Sequence, residues 1–102
     1  MNELVKHFLD LKSSIDKEKY LRYFSTSLEM CDSKIVFSTK IRGTNDVIAK
    51  YETYPTRRFY DSSYCAICGY TKCEHINFLL KDIANEKKEE LESYINSLLE
   101  VE

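Results

Sequence analysis

The segment from Cys65 to His75, CAICGYTKCEH, holds three of the four cysteines and one of the two histidines of the chain. Thiolate and imidazole groups are preferred ligands of zinc, and structural zinc sites are tetrahedral with four protein ligands. Cys65, Cys68, Cys73 and His75 are therefore the candidate ligands of one zinc ion. The C-x2-C-G portion predicts a tight turn around one side of the ion, and the C-x-H portion supplies the second pair of ligands.

Four protein ligands close the coordination shell, so the predicted zinc site is structural and not catalytic. Three alternatives stay open. An iron–sulfur cluster could use three Cys and one His, although known sites of that kind space the His differently. Cys65 and Cys68 could form a thioredoxin-like redox pair, but Gly69 and a loop follow them where that motif requires a helix. The cysteines could also bind nothing.

Two further residues of metal-binding type lie outside this segment. Cys31 stands alone, and a free cysteine is most often a small buried apolar residue, so we expect it to be buried. His7 falls on a predicted helix and is expected to be a surface residue.

The first third of the chain is predicted to be helical. In residues 2–30 the apolar side chains recur at helical spacing. Ser13 followed by Asp16 is a weak capping box, so the helix could be divided in two at this point.

The central segment has the alternation of an antiparallel sheet. Residues 34–42 predict a half-buried strand with a basic outer face, and residues 47–54 predict a second strand. The turn at 43–46 would join them as a hairpin. After Pro55, residues 57–64 predict a third strand that leads into the cysteines.

From His75 onward the apolar spacing is again helical, with a second apolar stripe beginning at Leu91. The stretch between the two stripes is polar, so the helix either continues exposed or breaks near Asn85. The predicted fold class is α+β: an N-terminal helix or helix pair, a small antiparallel sheet made of a hairpin and a third strand, a zinc knuckle and a C-terminal helix. The length favours a single domain over 1–102, with a helical segment 1–32, a hairpin and zinc core 33–84 and a helical extension 85–102.

Composition narrows the classes of function. The 102 residues have a net charge of −2, a basic central segment and an acidic C-terminal segment. We find no signal peptide and no run long enough to cross a membrane, so we expect a cytoplasmic protein. With only two glycines, Gly43 and Gly69, there is no glycine-rich phosphate loop, and no nucleophile stands beside a base, so we expect no enzymatic activity. The lack of Gln beside abundant Glu and Lys resembles the composition of thermophile proteins.

The ligand pattern also resembles a known family. The paired cysteines, the later Cys73-Glu74-His75 and the apolar helix start after it look like a SWIM-type zinc finger over roughly residues 45–84. That family usually separates its first two cysteines by one residue, whereas two residues separate Cys65 and Cys68. The resemblance implies a ββα-like core, zinc held by Cys65, Cys68, Cys73 and His75, and contacts with DNA or with other proteins.

The surface that would make those contacts is predicted to be the hairpin and the residues after it, where residues 50–60 mix cations with aromatic residues. Cations neutralise phosphates and aromatic rings stack on unpaired bases, so this composition suits DNA or RNA. The alternative is a protein-binding adaptor or inhibitor that uses the same sheet or the acidic C-terminal helix, whose apolar stripe could also form a homodimer. The candidate nucleic-acid contacts are Lys40, Arg42, Lys50, Tyr54, Arg57, Arg58, Tyr60 and Lys72.

Overall fold

The computed structural model describes residues 3–56, 61–69 and 73–100. Two short helices come first, four strands follow, and two longer helices end the described chain. They are α1 (Glu3–Asp10), α2 (Lys17–Tyr23), β1 (Phe24–Cys31), β2 (Lys34–Ile41), β3 (Val47–Thr53), β4 (Asp61–Cys65), α3 (Glu74–Glu86) and α4 (Lys88–Glu100). The strands form one antiparallel sheet in the order β1-β2-β3-β4. The predicted α+β class is confirmed.

The helices pack on one face of the sheet, which we call the inner face. Ile35 and Phe37 of β2 are fully buried there, as predicted from their alternation. Phe8 of α1 meets Phe37 edge to face, with ring centroids 5.3 Å apart, and Tyr51 of β3 completes an aromatic cluster with both rings. Apolar burial of this kind is the largest favourable contribution to folding.

Strand β1 corrects the prediction that residues 2–30 are helical. The helices end at Tyr23, and Phe24–Cys31 is a strand paired with β2 along its whole length. Phe24 and Leu28 fit helical spacing, but Phe24, Thr26, Leu28 and Met30 also alternate with polar residues, as a half-buried strand requires. The sequence of β1 fits both the helical period and the strand period. Strand β2 favours the strand, because it offers β1 a complete ladder of backbone hydrogen bonds.

The predicted break between two N-terminal helices is confirmed. The N-cap of α2 is Asp16, whose carboxylate accepts a hydrogen bond from the Lys19 N–H at 3.4 Å. Ser13 does not cap α2; its hydroxyl donates to the Glu74 carbonyl, 3.2 Å away at the start of α3. The linker between α1 and α2 is therefore fastened to the helix that follows the cysteines.

A two-residue turn joins β1 to β2, with Asp32 and Ser33 both at positive φ (52° and 64°). Two positive φ values define the hairpin turn that follows the natural twist of the strands. Cys31 precedes this turn and is exposed, so the prediction that it is buried is wrong. Its place in the strand points it away from the inner face. His7 is exposed, as predicted.

The strand before the cysteines and the C-terminal helices follow the prediction in outline. The third predicted strand corresponds to β4, and residues 57–60 of that prediction lie outside the described residues. The C-terminal helix breaks at Lys87, and Leu91 and Ile95 of α4 are buried in the same core as α1 and α3. The centre of the predicted dimer stripe is thus covered within the chain. Within the described residues, no helix has the length and apolar character needed to cross a membrane.

We predict that Ser33→Gly raises the free energy of unfolding by about 0.5–1 kcal/mol, because glycine adopts the positive φ of this turn without strain. Ser62→Gly is the matched control: it makes the same chemical change in the extended strand β4, where it should lower stability by about 0.5–1 kcal/mol. Urea unfolding of both variants measures the difference. Equal destabilisation by the two substitutions would contradict the assigned turn.

Candidate metal centre

The first two candidate ligands are positioned by the end of β4 and the turn after it. Cys65 is the last residue of β4 and is 1% exposed, since it lies opposite Ala49 on the inner face. The chain then turns back so that the Gly69 N–H donates to the Cys65 carbonyl at 2.8 Å. Gly69 has a positive φ of 72°, a conformation that most other residues reach only at a cost. This turn carries Cys68 beside Cys65, as the C-x2-C-G pattern predicts.

The other two candidate ligands come from the start of α3. Cys73 is the extended residue before the helix, and its carbonyl accepts a hydrogen bond from the Asn77 N–H at 3.0 Å. His75 lies in the first helical turn. Ile76 and Leu79 bury the adjoining face of α3 in the core, and this packing sets where the helix begins relative to β4.

The four side chains meet at one point. Their ligand atoms all lie within 4.8 Å of one another. The Nδ1 atom of His75 is 2.9 Å from Sγ of Cys68 and 3.8 Å from Sγ of Cys73. In a tetrahedral zinc site the bond lengths place sulfur atoms about 3.8 Å apart and sulfur and nitrogen about 3.5 Å apart. The group therefore has the size and the donor atoms to hold a metal ion.

The acid–base properties of the thiols favour a cation at this point. Burial, and to a smaller extent the adjacent sulfur atoms of Cys73 and Cys65, together raise the pKa of the Cys68 thiol to about 11. Burial acts in the same direction on Cys73, but hydrogen bonds from the Ile76 backbone, the neighbouring thiols and the His75 backbone outweigh it, so its pKa is lowered. Several thiolates this close repel one another, and a bound cation removes that repulsion.

Two supports of this cluster were not predicted. The Tyr20 ring of α2 lies beside the His75 ring, with centroids 6.2 Å apart, and also contacts Phe78. Burial raises the pKa of Tyr20, and its hydroxyl donates to Thr39 of β2 at 3.4 Å. These contacts restrict where the imidazole can move. Helical spacing placed Tyr20 in no apolar stripe, so only the packing of α2 on α3 identifies its role.

A second support fastens the helix start that bears His75. The Ser14 hydroxyl donates to the Glu74 carboxylate at 2.8 Å, and the Asn77 side chain donates to the Lys12 carbonyl at 3.1 Å. Together with the bond from Ser13, these contacts hold the α1–α2 linker against the first turn of α3.

The predicted nucleic-acid contacts are divided by the structure. Lys40 and Lys50 lie on β2 and β3, on the face opposite the helices, and the Lys50 ammonium group is 3.0 Å from Glu52. Arg42 contacts the protein itself, since its Nε donates to the Leu21 carbonyl at 2.9 Å. Tyr54 is half-buried just after β3. The remaining candidates, Arg57, Arg58, Tyr60 and Lys72, lie outside the described residues.

The face opposite the helices, which we call the outer face, also carries residues that the sequence analysis did not single out, Tyr64 among them. The strand register aligns Ser27, Ser38, Lys50 and Tyr64 in one row across all four strands. Tyr64 is 56% exposed at the end of that row. A shallow groove of about 500 Å³ runs along this face between Lys34, Lys40 and Lys50. Only the cross-strand register reveals that Tyr64 and Lys50 are neighbours.

Comparisons with protein-family models, with curated proteins and with solved structures found no match to this chain. The four-ligand cluster is compatible with a zinc finger, and the case for any particular function depends on the site itself.

We predict that Gly69→Ala destabilises the turn that carries Cys68 by about 1 kcal/mol, because alanine at this positive φ is strained. Apart from the chain neighbours of Gly69, no atom of the described residues lies within 4 Å of the added carbon, so space is not the reason. Gly69→Asn is the matched control, since asparagine tolerates this conformation and should cost less. Chemical unfolding of metal-loaded protein measures both. A larger loss with asparagine than with alanine would show that space, and not backbone conformation, limits this position.

Proposed function

We propose that this chain is a small non-enzymatic zinc module, in which Cys65, Cys68, Cys73 and His75 hold one structural zinc ion and the outer face of the sheet contacts nucleic acid. The observation that carries the zinc proposal is the meeting of three thiols and an imidazole from β4, the following turn and α3. Bound zinc would neutralise the thiolates and join the end of the sheet to the helical layer.

The type of ion follows from the donors. Sulfur and imidazole ligands in a four-coordinate shell favour zinc over magnesium or calcium, which prefer oxygen. A shell filled by protein atoms has no open position for substrate, which supports a structural role. The order of strand β3, strand β4 and helix α3 around the ligands also supports the resemblance to a SWIM-type finger.

We expect purified protein to contain about one zinc per chain, and chelation to lower its melting temperature sharply. Cys68→Ser and Cys73→Ser should lose the ion. Cys31→Ser should keep it, because it makes the same change at an exposed cysteine that is distant in sequence from the candidate ligands. Elemental analysis measures the stoichiometry, and the absorption spectrum of the cobalt-substituted protein reports tetrahedral thiolate ligation. Iron in place of zinc, or folded protein without metal, would reject the proposal.

The outer face supplies the support for nucleic-acid binding. Lys34, Lys40 and Lys50 line its groove, and exposed Tyr64 lies directly across from Lys50. Lysine side chains neutralise phosphates, and an exposed aromatic ring on an open sheet can stack on an unpaired base. A single-stranded nucleic acid, whose bases are free to stack, is the form that fits this combination.

A second candidate, a protein-binding adaptor, is favoured by the charge balance of the same face. Glu52 lies 3.0 Å from the Lys50 ammonium and 3.9 Å from that of Lys34, so part of the positive charge is compensated. Val47 is 42% exposed and lies beside this groove. A mixture of paired charges and exposed apolar groups suits a protein surface as partner.

The two candidates separate in an anisotropy titration with fluorescein-labelled single-stranded DNA and RNA over a series of salt concentrations. For nucleic-acid binding, Lys40→Ala with Lys50→Ala should reduce the salt slope by about 1.4, the value for two phosphate contacts on a single strand. Tyr64→Ala should weaken binding by about 1–3 kcal/mol without changing that slope.

The matched control is Lys6→Ala with Lys81→Ala, which removes the same charge from exposed positions of α1 and α3. If this control weakens binding as much as the outer-face variant, the contact is non-specific. If no probe binds near physiological salt, the nucleic-acid proposal is rejected and the adaptor remains.

A further inference from the structure

Among the described residues, the edge of the sheet formed by β1 lacks most of the usual protections against pairing, and Glu29 is its one charged side chain. β1 is eight residues long and pairs with β2 without a register shift. Its sequence, FSTSLEMC, contains no proline, lysine or arginine, the residues with which proteins commonly block exposed edges. The opposite edge, β4, is only five residues long. An unprotected edge strand offers a row of backbone donors and acceptors to another strand.

The hairpin identifies which residues of β1 offer those groups. In a two-residue hairpin turn the flanking pair, Cys31 and Lys34, is hydrogen-bonded, and bonded pairs then alternate along the strands. The Arg42 N–H, which donates to the Tyr23 carbonyl at 2.8 Å, continues this alternation. The even-numbered residues of β1 therefore direct their backbone groups outward.

One of these outward residues already has partners. The Phe24 N–H donates to the Tyr20 carbonyl, and the Phe24 carbonyl accepts from the Arg42 side chain at 3.4 Å. Thr26, Leu28 and Met30 remain, with no outward backbone partner among the residues that the structure describes, and their outward groups form a symmetric set centred on Leu28.

We propose that β1 pairs antiparallel with β1 of a second copy of this chain, with Leu28 on the two-fold axis. Thr26 then lies opposite Met30 of the other copy, and each of the three outward residues gains both backbone hydrogen bonds. The product is a continuous sheet of eight strands, since each copy contributes four.

The side chains of β1 suit this register. Ser27 lies opposite Glu29 of the second copy, so the two Glu29 carboxylates do not face each other. On the inner face, Leu28 and Met30 are only half-buried in one copy. In the dimer Leu28 of the second copy lies opposite Leu28 and diagonal to Met30, and Thr26 lies opposite Met30, so both apolar side chains gain cover. Shifting the strands by two residues in one direction would require Phe24, whose groups are occupied. Shifting them by two in the other direction would place the two Glu29 residues opposite each other.

The pairing has a consequence for the outer face. It places the two outer faces side by side in one sheet, so two sets of Lys34, Lys40 and Lys50 lie on the same surface. The pairing itself requires neither the zinc proposal nor the nucleic-acid proposal. Because a two-strand contact is smaller than a standard interface, we expect a dissociation constant in the micromolar range or weaker.

Two opposite substitutions at one exposed position test the register. Ser27→Glu places like charges beside Glu29 of the second copy and should weaken dimerisation, whereas Ser27→Lys should strengthen it. Both remove the same hydrogen bond to Ser38, so the loss of that contact within the single chain is matched. Two such pairs form per dimer, and we expect the dissociation constant to change roughly 2- to 30-fold in each direction.

Sedimentation equilibrium measures these changes against the chain mass of 12.1 kDa. The proposal is overturned if the wild-type protein stays at this mass up to about 1 mM, a concentration at which only very weak association escapes detection. It is also overturned if both Ser27 variants shift the equilibrium in the same direction. Elemental analysis of each variant distinguishes a failed dimer from a failed metal site.

A cross-link provides an independent measurement. The register places Ser25 opposite Cys31 of the second copy as a non-hydrogen-bonded pair, whose short separation permits a disulfide. Ser25→Cys with oxidised glutathione should therefore give a covalent dimer, and peptide mapping should find the bond between residues 25 and 31. Ser27→Cys is the control, because it faces Glu29. A cross-link through residue 27 at the same yield would reject the register.

Discussion

The placement of Cys65 on the inner face of β4 is the constraint on which the candidate metal centre depends. Side chains alternate along a strand, so a shift of one residue would turn this thiol to the outer face, away from α3. Ala49 opposite Cys65 is also fully buried, and the small pair leaves the end of the sheet close to the helical layer. The four candidate ligands can therefore meet only if the sheet keeps this register.

Because the candidate ligands lie at the inner face, the two faces of the sheet carry different kinds of residues. The inner face is occupied by apolar packing with α1 and α3, which α4 covers in turn, and the ligand cluster lies at the edge of this face, where the chain passes from β4 to α3. The outer face carries lysines, serines, Glu52 and the exposed Tyr64 in rows set by the register. A metal ion at the junction would hold the strand against the helix and leave the outer face uncovered.

Local pattern was sufficient for part of the fold. The alternation of apolar and polar residues in 34–42 correctly predicted that Ile35 and Phe37 are buried. Both predictions depend only on the two-residue period of a strand. The same reasoning failed for β1, where Leu21, Phe24 and Leu28 match a helical stripe and the strand period competes with it. Choosing between the two periods required β2, a partner that helical spacing does not take into account. The prediction that Cys31 is buried was wrong for the same reason, since its exposure follows from its position in β1, a strand that was not predicted.

The ligand cluster shows the boundary between local and tertiary information. The types and spacing of Cys65, Cys68, Cys73 and His75 were enough to identify the candidate ligands, because thiolate and imidazole chemistry belongs to the side chains. Their convergence, the ring of Tyr20 beside His75 and the occupation of Arg42 by backbone carbonyls depended on elements far apart in the chain. The sequence by itself thus determined which atoms can bind a metal. Only the tertiary structure decided which side chains meet them and which cations remain on the surface, because long-range packing sets those distances.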